Sequence, residues 1–424
     1  LDCDLRFTFL HAADLHLGSP FKGLSSRDEG LSKRFATASR QAFSDLVERA
    51  IAEKVAFAVI AGDVYDGEWK DMSIGHFFNR EIAKLARARI PVFLIKGNHD
   101  AASEVTKTLP LPDSVHVFSD ARAETRLIET VRVAIHGRSF RDRVVTDNLA
   151  RAYPDAVEGY FNIGLLHTSL AGNPRHETYA PCSIEDLSLR GYDYWALGHV
   201  HEFAVMSTQP HIVYSGNLQG RSIRETGPKG AVFVDVDDAA VTDVRRVIVD
   251  QARFADIRVD ITGAETEADV TARMRDSFRT LADDADGRLL AVRVRLIGVA
   301  SVHPILIARR AAIAENTQSA LHHVFEDAWL EKFVIESREP EEPRVSDPLS
   351  VLIDAGALLA GLETGPEMQS AAAELIEEIG GQWPSQQEFA NTGLADELDQ
   401  LLAEARTLVL ARASGKSLAP TVGD

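Results

Sequence analysis

Cysteine is nearly missing from this 424-residue sequence. Cys3 and Cys182 are the two present, too few for a disulfide framework or a zinc knuckle. No apolar run approaches the length that spans a bilayer. Leu1–His11 lacks the basic region and apolar core of a signal peptide, so the expected compartment is the cytoplasm, with no membrane partner. A Gly-x-x-x-x-Gly-Lys-Ser/Thr phosphate loop is absent, which excludes an ATP-driven step of that kind. An excess of positive charge is absent too. The net charge is −19, and Glu339–Asp424 alone holds 16 acidic against 4 basic residues. Such a chain does not coat nucleic acid with lysine and arginine. Any affinity for phosphate must come from bound cations, local arginines or a partner.

What is present is a globular composition, 45% hydrophobic and 26% charged, over a length that suits two or three domains. Short apolar runs at Phe7–His11, Phe57–Ala61 and Pro91–Ile95 alternate with helical patterns at Phe35–Glu53 and Gly75–Ala88. That alternation predicts an α/β layered domain with buried strands. Further strands are expected at Arg132–Ile135, Asn162–Leu166, Tyr194–Leu197, Ile212–Tyr214 and Ala231–Val236, where helices thin out and the sheet becomes mixed. The first domain is therefore placed at residues 1–250. A strand–helix–strand–helix–strand pattern over 251–337 predicts a small α/β capping or DNA-binding domain, its second helix running from Ile305 to Phe325. A proline-rich linker is expected at 338–348. An acidic helical region follows at 349–424, with apolar stripes through Val351–Leu362 and Leu394–Leu408 that pack together or dock on a partner.

Five polar segments each follow a predicted strand: Asp14-Leu15-His16, Gly62-Asp63-Val64-Tyr65-Asp66, Gly97-Asn98-His99-Asp100, His167, and Gly198-His199-Val200-His201. In open α/β sheets, ligands bind beyond the carboxyl ends of the strands. Imidazole and carboxylate together suit borderline divalent ions such as manganese, iron or zinc. Asp63 is the candidate bridge between two ions, and Asn98 offers a neutral carbonyl oxygen. On an extended segment Asp14 and His16 would point the same way, as would His199 and His201. Singly, Asp-x-His and a lone histidine are weak signals. All five in order, each at a strand end, form a specific one.

This ordered set resembles the calcineurin-like metallophosphoesterases. More narrowly, it is similar to the SbcD-type DNA repair exonucleases and their YhaO-like bacterial branch. The narrower likeness rests on Leu10–Gly18, Tyr194–His201 and Tyr214–Arg221. The resemblance implies a two-layered mixed β-sandwich flanked by helices, and a hydrolase that cuts phosphodiesters with a hydroxide activated between two divalent ions. Manganese is that family's usual ion. It implies that Asp14, His16, Asp63 and His201 hold one ion, and that Asp63, Asn98, His167 and His199 hold the other. His99 would face the substrate phosphate, with Asp100 orienting it, and Arg221 and Arg224 would bind substrate. It further implies DNA as substrate, an SbcC-like ATPase subunit as partner, and a homodimer. The alternative is a phosphodiesterase or phosphatase acting on a small molecule or phosphoprotein.

Overall fold

The structure is a computed structural model. It describes residues 6–19, 29–66, 72–102, 111–170 and 179–340, together with 370, 371 and 373–375. Cys3 and the striped helices expected after Pro348 lie outside the described residues. The chain divides into two compact units that part between Arg253 and Phe254.

The first unit contains two six-stranded sheets. One has the order β12 (Ala240–Ile248), β11 (Gly230–Asp237), β1 (Phe7–Ala12), β2 (Phe57–Ala61), β3 (Val92–Ile95) and β4 (Val115–Val117). The other runs β5 (Glu124–Ile128), β6 (Val133–Gly137), β7 (Phe161–His167), β8 (Tyr194–Gly198), β10 (His211–Tyr214) and β9 (Ala204–Thr208). Strands β1 to β4 are parallel, as are β6, β7, β8 and β10, while β5, β9, β11 and β12 join antiparallel. The mixed sheets follow from these additions at the margins.

The inner faces of the sheets share one core. Phe9 stacks on Phe57 at 5.1 Å and meets Tyr194 edge-on at 5.2 Å, so one sheet is joined to the other by aromatic contact. Helices α1 (Glu29–Glu53) and α2 (Met72–Arg87) bury Phe43, Leu46, Phe78 and Ile82 against the outer face of the first sheet. On the second sheet, Leu149 and Leu187 of two short helical turns pack beside Trp195. Continuous burial along β2, β3, β7 and β8 explains why these strands read as apolar runs. The parallel strands β1, β2 and β3, and likewise β7 and β8, end at one rim.

Strand β12 has no apolar run to announce it, because most of its residues face outward. It pairs with β11 through Asp238 and Ala239, whose φ values of 49° and 60° make a two-residue hairpin turn.

The second unit has a sheet of order β13 (Ala252–Asp260), β14 (Leu289–Ile297) and β15 (Ala328–Ile335). Val292, Val294 and Leu296 of β14 share a core with Val270, Met274 and Phe278 of α5 (Glu267–Ala285); α3 and α4 are short helices in the first unit, at Asn98–Ala102 and Ile184–Ser188. The single helix expected from Ile305 to Phe325 is two, α6 (His303–Ala308) and α7 (Arg310–Val324). Arg309, with φ −113° and ψ 20°, leaves helical geometry and ends the first. Helix α5 starts with a reciprocal cap: Thr266 accepts from Asp269 N–H, and the Asp269 carboxylate accepts from Thr266 N–H. Thr266→Ala is expected to destabilise this unit by about 1 kcal/mol, read as a lower midpoint in thermal or urea unfolding. Among the described residues, no helix is long and apolar enough to cross a membrane.

Candidate metal centre

The strand ends meet through their backbones first. Asp14 N–H donates to Gly62 O at 3.0 Å, His16 N–H to Asp63 O at 3.0 Å, and Leu17 N–H to Val64 O at 2.9 Å. The loop after β1 is thereby zipped to the loop after β2. Within it, Asp14 and His16 have φ values of 51° and 42°, and Asp63 has 55°. The Asp14–His16 segment is thus not extended, as the alternation argument required. Two left-handed residues flank a buried Leu15, and backbone pairing to the neighbouring loop holds them there. His199, with φ 95°, adds a fourth such residue. Non-glycine residues held in this region cost about 1–3 kcal/mol each and cluster where geometry serves function.

Seven expected ligands lie at this rim. Asp14, His16 and His201 present ligand atoms within 4.8 Å of one another, and so do Asp14, Asp63 and His167. His16 Nε2 is 3.2 Å from His201 Nε2, and His201 Nε2 is 3.8 Å from Asp14 Oδ1. His167 Nδ1 sits 2.9 Å from Ala61 O, which can only accept, so Nδ1 carries the proton. The lone pair on His167 Nε2 then faces Asn98 Oδ1 at 2.9 Å and Asp63 Oδ2 at 3.4 Å. His199 donates its N–H to the Asp14 carboxylate at 2.9 Å, and its ring lies 5.3 Å from that of His167.

These residues fit divalent ions. Buried lone pairs that face each other repel unless a proton or a metal lies between them. Burial opposes a charge on His167, yet Asp63 and Asp14 raise its pKa to about 9, so the pocket draws positive charge to that atom. Burial and Arg221 lower His16 to about 3, which keeps it a neutral donor. Burial works against an ionised Asp63, but His167, His16 and His99 hold its carboxyl well below the usual range.

Glycine is required where the loops touch. A Cβ on Gly97 would stand 2.2 Å from Asp63 Oδ1, and one on Gly198 would stand 2.1 Å from Ala61 O. Gly97→Ala is expected to displace the Asp63 carboxylate and weaken metal uptake by about tenfold or more, measured by titration of the metal-free protein with Mn2+.

Asp100 does not orient His99. It is buried, and its carboxylate accepts from Val64, Tyr65 and Gly97 N–H at 3.2, 3.0 and 3.1 Å, tying the loop after β2 to that after β3. Burial and then Asp63 raise its pKa to about 6, against those three donors. The carboxylate at His99 is Asp66, whose Oδ1 lies 3.1 Å from His99 Nδ1 and whose Oδ2 accepts from Ser19 Oγ at 2.6 Å. His99 also approaches His16 and Asp63 closely enough for metal binding, but its Nδ1 is taken by Asp66.

Arg221 is half-buried at the same rim, with Nη1 3.7 Å from Asp66 and Nη2 3.1 Å from Glu225 Oε1. Arg224 is exposed. Glu225 lies 2.8 Å from His201 Nδ1. Burial disfavours its charge, but His201 and Arg221 keep it ionised. Reading the sequence missed Asp66 as the partner of His99, and missed Glu225 altogether. The available signal was the spacing of Arg221 and Glu225, four apart, with Arg221 closing a segment already singled out.

Residues 7–203 match the family model described as calcineurin-like phosphoesterase, and residues 254–338 match that of the metallophosphoesterase YhaO middle domain. The chain is 34% identical over 298 residues to the uncharacterized metallophosphoesterase YhaO of Bacillus subtilis, covering 69% of this chain and 72% of the relative. It is 25% identical over 297 residues to the DNA double-strand break repair protein Mre11 of Sulfurisphaera tokodaii, covering 64% of this chain and 72% of that one. With the Mre11 protein of Methanopyrus kandleri it shares 25% identity over 294 residues, 62% of each chain. By the YhaO match and the phosphoesterase model over its metal-binding rim, this chain belongs to the calcineurin-like metallophosphoesterases, in their YhaO-like family.

Proposed function

We propose that this chain is a two-metal phosphodiesterase that cuts DNA, the nuclease subunit of a repair complex with an SbcC-like ATPase. The observation that carries the reading is the convergence of buried lone pairs on two neighbouring points, with Asp63 Oδ2 at 3.9 Å from His16 Nε2 and 3.4 Å from His167 Nε2. Asp14, His16, Asp63 and His201 would hold one ion, and Asp63, Asn98, His167 and His199 the other, with Mn2+ as the activating ion. When bound, such a pair of ions supplies Lewis acidity toward phosphate oxygens and lowers the pKa of a water between them.

The chain's own residues do the remaining work. Asp66 holds His99 by Nδ1, which leaves Nε2 to carry the proton given to the departing sugar oxygen. Glu225 fixes one edge of the Arg221 guanidinium, and the rest is set to hold a phosphate oxygen. DNA is favoured over a small diester by the likeness to two proteins named for double-strand break repair. A second unit beyond the phosphoesterase unit also offers more surface than a small substrate needs.

The test is cleavage of end-labelled duplex and single-stranded DNA by the purified protein with Mn2+. EDTA and Asp63→Ala serve as controls, and bis(p-nitrophenyl) phosphate is the parallel substrate. DNA shortening that requires both metal and Asp63 is the expected result, and the product ladder gives its direction. Intact DNA beside a hydrolysed small diester would overturn DNA as substrate, in favour of a small-molecule or phosphoprotein substrate.

A further inference from the structure

The ligand histidines differ in what lies behind them. His167 leans on a backbone carbonyl, Ala61 O, at 2.9 Å. His16 Nδ1 is buried with no hydrogen-bond partner among the described residues, and Asp66 Oδ1 stands off at 3.7 Å. His201 has a carboxylate, Glu225 Oε1, 2.8 Å from Nδ1. That carboxylate is locked on every side. Oε2 accepts from Asn217 Nδ2 at 2.9 Å and from Arg221 N–H at 2.8 Å, and Oε1 accepts from Arg221 Nη2 at 3.1 Å.

Arg221 Nη2 also comes within 3.3 Å of His201 Nδ1. Arg221 and Glu225 ask opposite roles of His201 Nδ1, since a guanidinium only donates and a carboxylate only accepts. The shorter contact to Glu225 makes Nδ1 the donor and leaves the lone pair on Nε2. That atom faces His16 Nε2 at 3.2 Å and Asp14 Oδ1 at 3.8 Å.

We infer that Glu225 is a positioning residue for one of the two ions: through His201 it fixes the tautomer and the ring's orientation in the Asp14–His16–His201 set. The inference rests on the ligand assignment proposed above. A carboxylate behind a ligand imidazole both orients the ring and strengthens the donor, and removing it weakens metal binding by about 10- to 100-fold. In the other set His167 rests on Ala61 O and faces Asn98 Oδ1, whereas Glu225 reaches His201, so the effect falls on one ion.

The test is Mn2+ binding to the full metal-free chain, followed by electron paramagnetic resonance. Free ion gives each Kd, and the spin-coupled signal reports the pair. Wild type is expected to take up two ions. Glu225→Gln is expected to hold one ion with wild-type affinity and the other about 10- to 100-fold more weakly, with an uncoupled signal where wild type gives a coupled one. Arg221→Ala keeps the Asn217 and backbone N–H bonds to Glu225 but loses the guanidinium on Oε1, and is expected to weaken the same ion less than Glu225→Gln does. Wild-type uptake of both ions by Glu225→Gln would overturn the inference. Should the Gln variant unfold, Glu225→Asp keeps the charge and shortens the reach, and a smaller loss of the same ion is expected; wild-type binding by it would contradict the role. A wild-type chain that never binds two ions would instead sink the ligand assignment.

Discussion

Asp63→Asn is expected to lower phosphodiester hydrolysis by about 10³-fold or more, the order seen when a preorganised charge is lost from a reaction centre. Asp63 stands between the two ligand sets, 3.9 Å from His16 Nε2 and 3.4 Å from His167 Nε2. Its other oxygen accepts from His99 N–H at 2.9 Å and so fixes the loop after β3. Asparagine keeps the shape but removes the charge, and turns amide protons toward atoms that offer lone pairs. The charge also matters to its neighbours. Burial alone would lower the pKa of His167, and Asp63 is the first of the groups that raise it. Turnover of bis(p-nitrophenyl) phosphate, with metal content by mass spectrometry, is the check. Near-wild-type turnover with two bound ions would contradict the bridging role.

His99→Ala has the second largest expected effect, a loss of about 10²-fold or more in kcat with both ions retained. The side chain is partly exposed and held by Asp66, so it can meet substrate without being needed to build the centre. Burial lowers the pKa of His99, but the hydrogen bond to Asp66 and the charges of Asp63 and Asp66 prevail and raise it. A group that gives up a proton works below its pKa, so activity falls as pH rises through that value. Asp66→Asn removes part of what raises the pKa, so the alkaline limb of kcat against pH is expected to move to lower pH. A His99→Ala variant with full turnover, or an unmoved limb in Asp66→Asn, would remove His99 from proton transfer.

The strands that carry the centre were legible because they are buried on both faces. Phe57–Ala61 and Tyr194–Leu197 read as apolar runs, and each ends in glycine followed by a polar residue. Strands β5, β9 and β12 were not legible, since their outward residues blur the apolar signal. The candidate ligands stood out by residue type and order. The groups that hold them did not, because those contacts join distant parts of the chain. Asp66 meets His99 across 33 positions and Glu225 meets His201 across 24, pairings made by loop geometry at the rim. Asp100 misled for the same reason: its neighbour in sequence is His99, yet the turn of α3 sends its carboxylate to three backbone N–H groups. Backbone pairing, not extension, also set Asp14 and His16 side by side.

Asp63 is expected to bridge a pair of ions, and anomalous diffraction from crystals grown with Mn2+ would show them directly. Two peaks are predicted, about 3.5–4 Å apart. One would lie against Asp14, His16 and His201, the other against Asn98, His167 and His199, with Asp63 touching both. A single peak, or two peaks that do not share Asp63, would contradict the bridging role of Asp63.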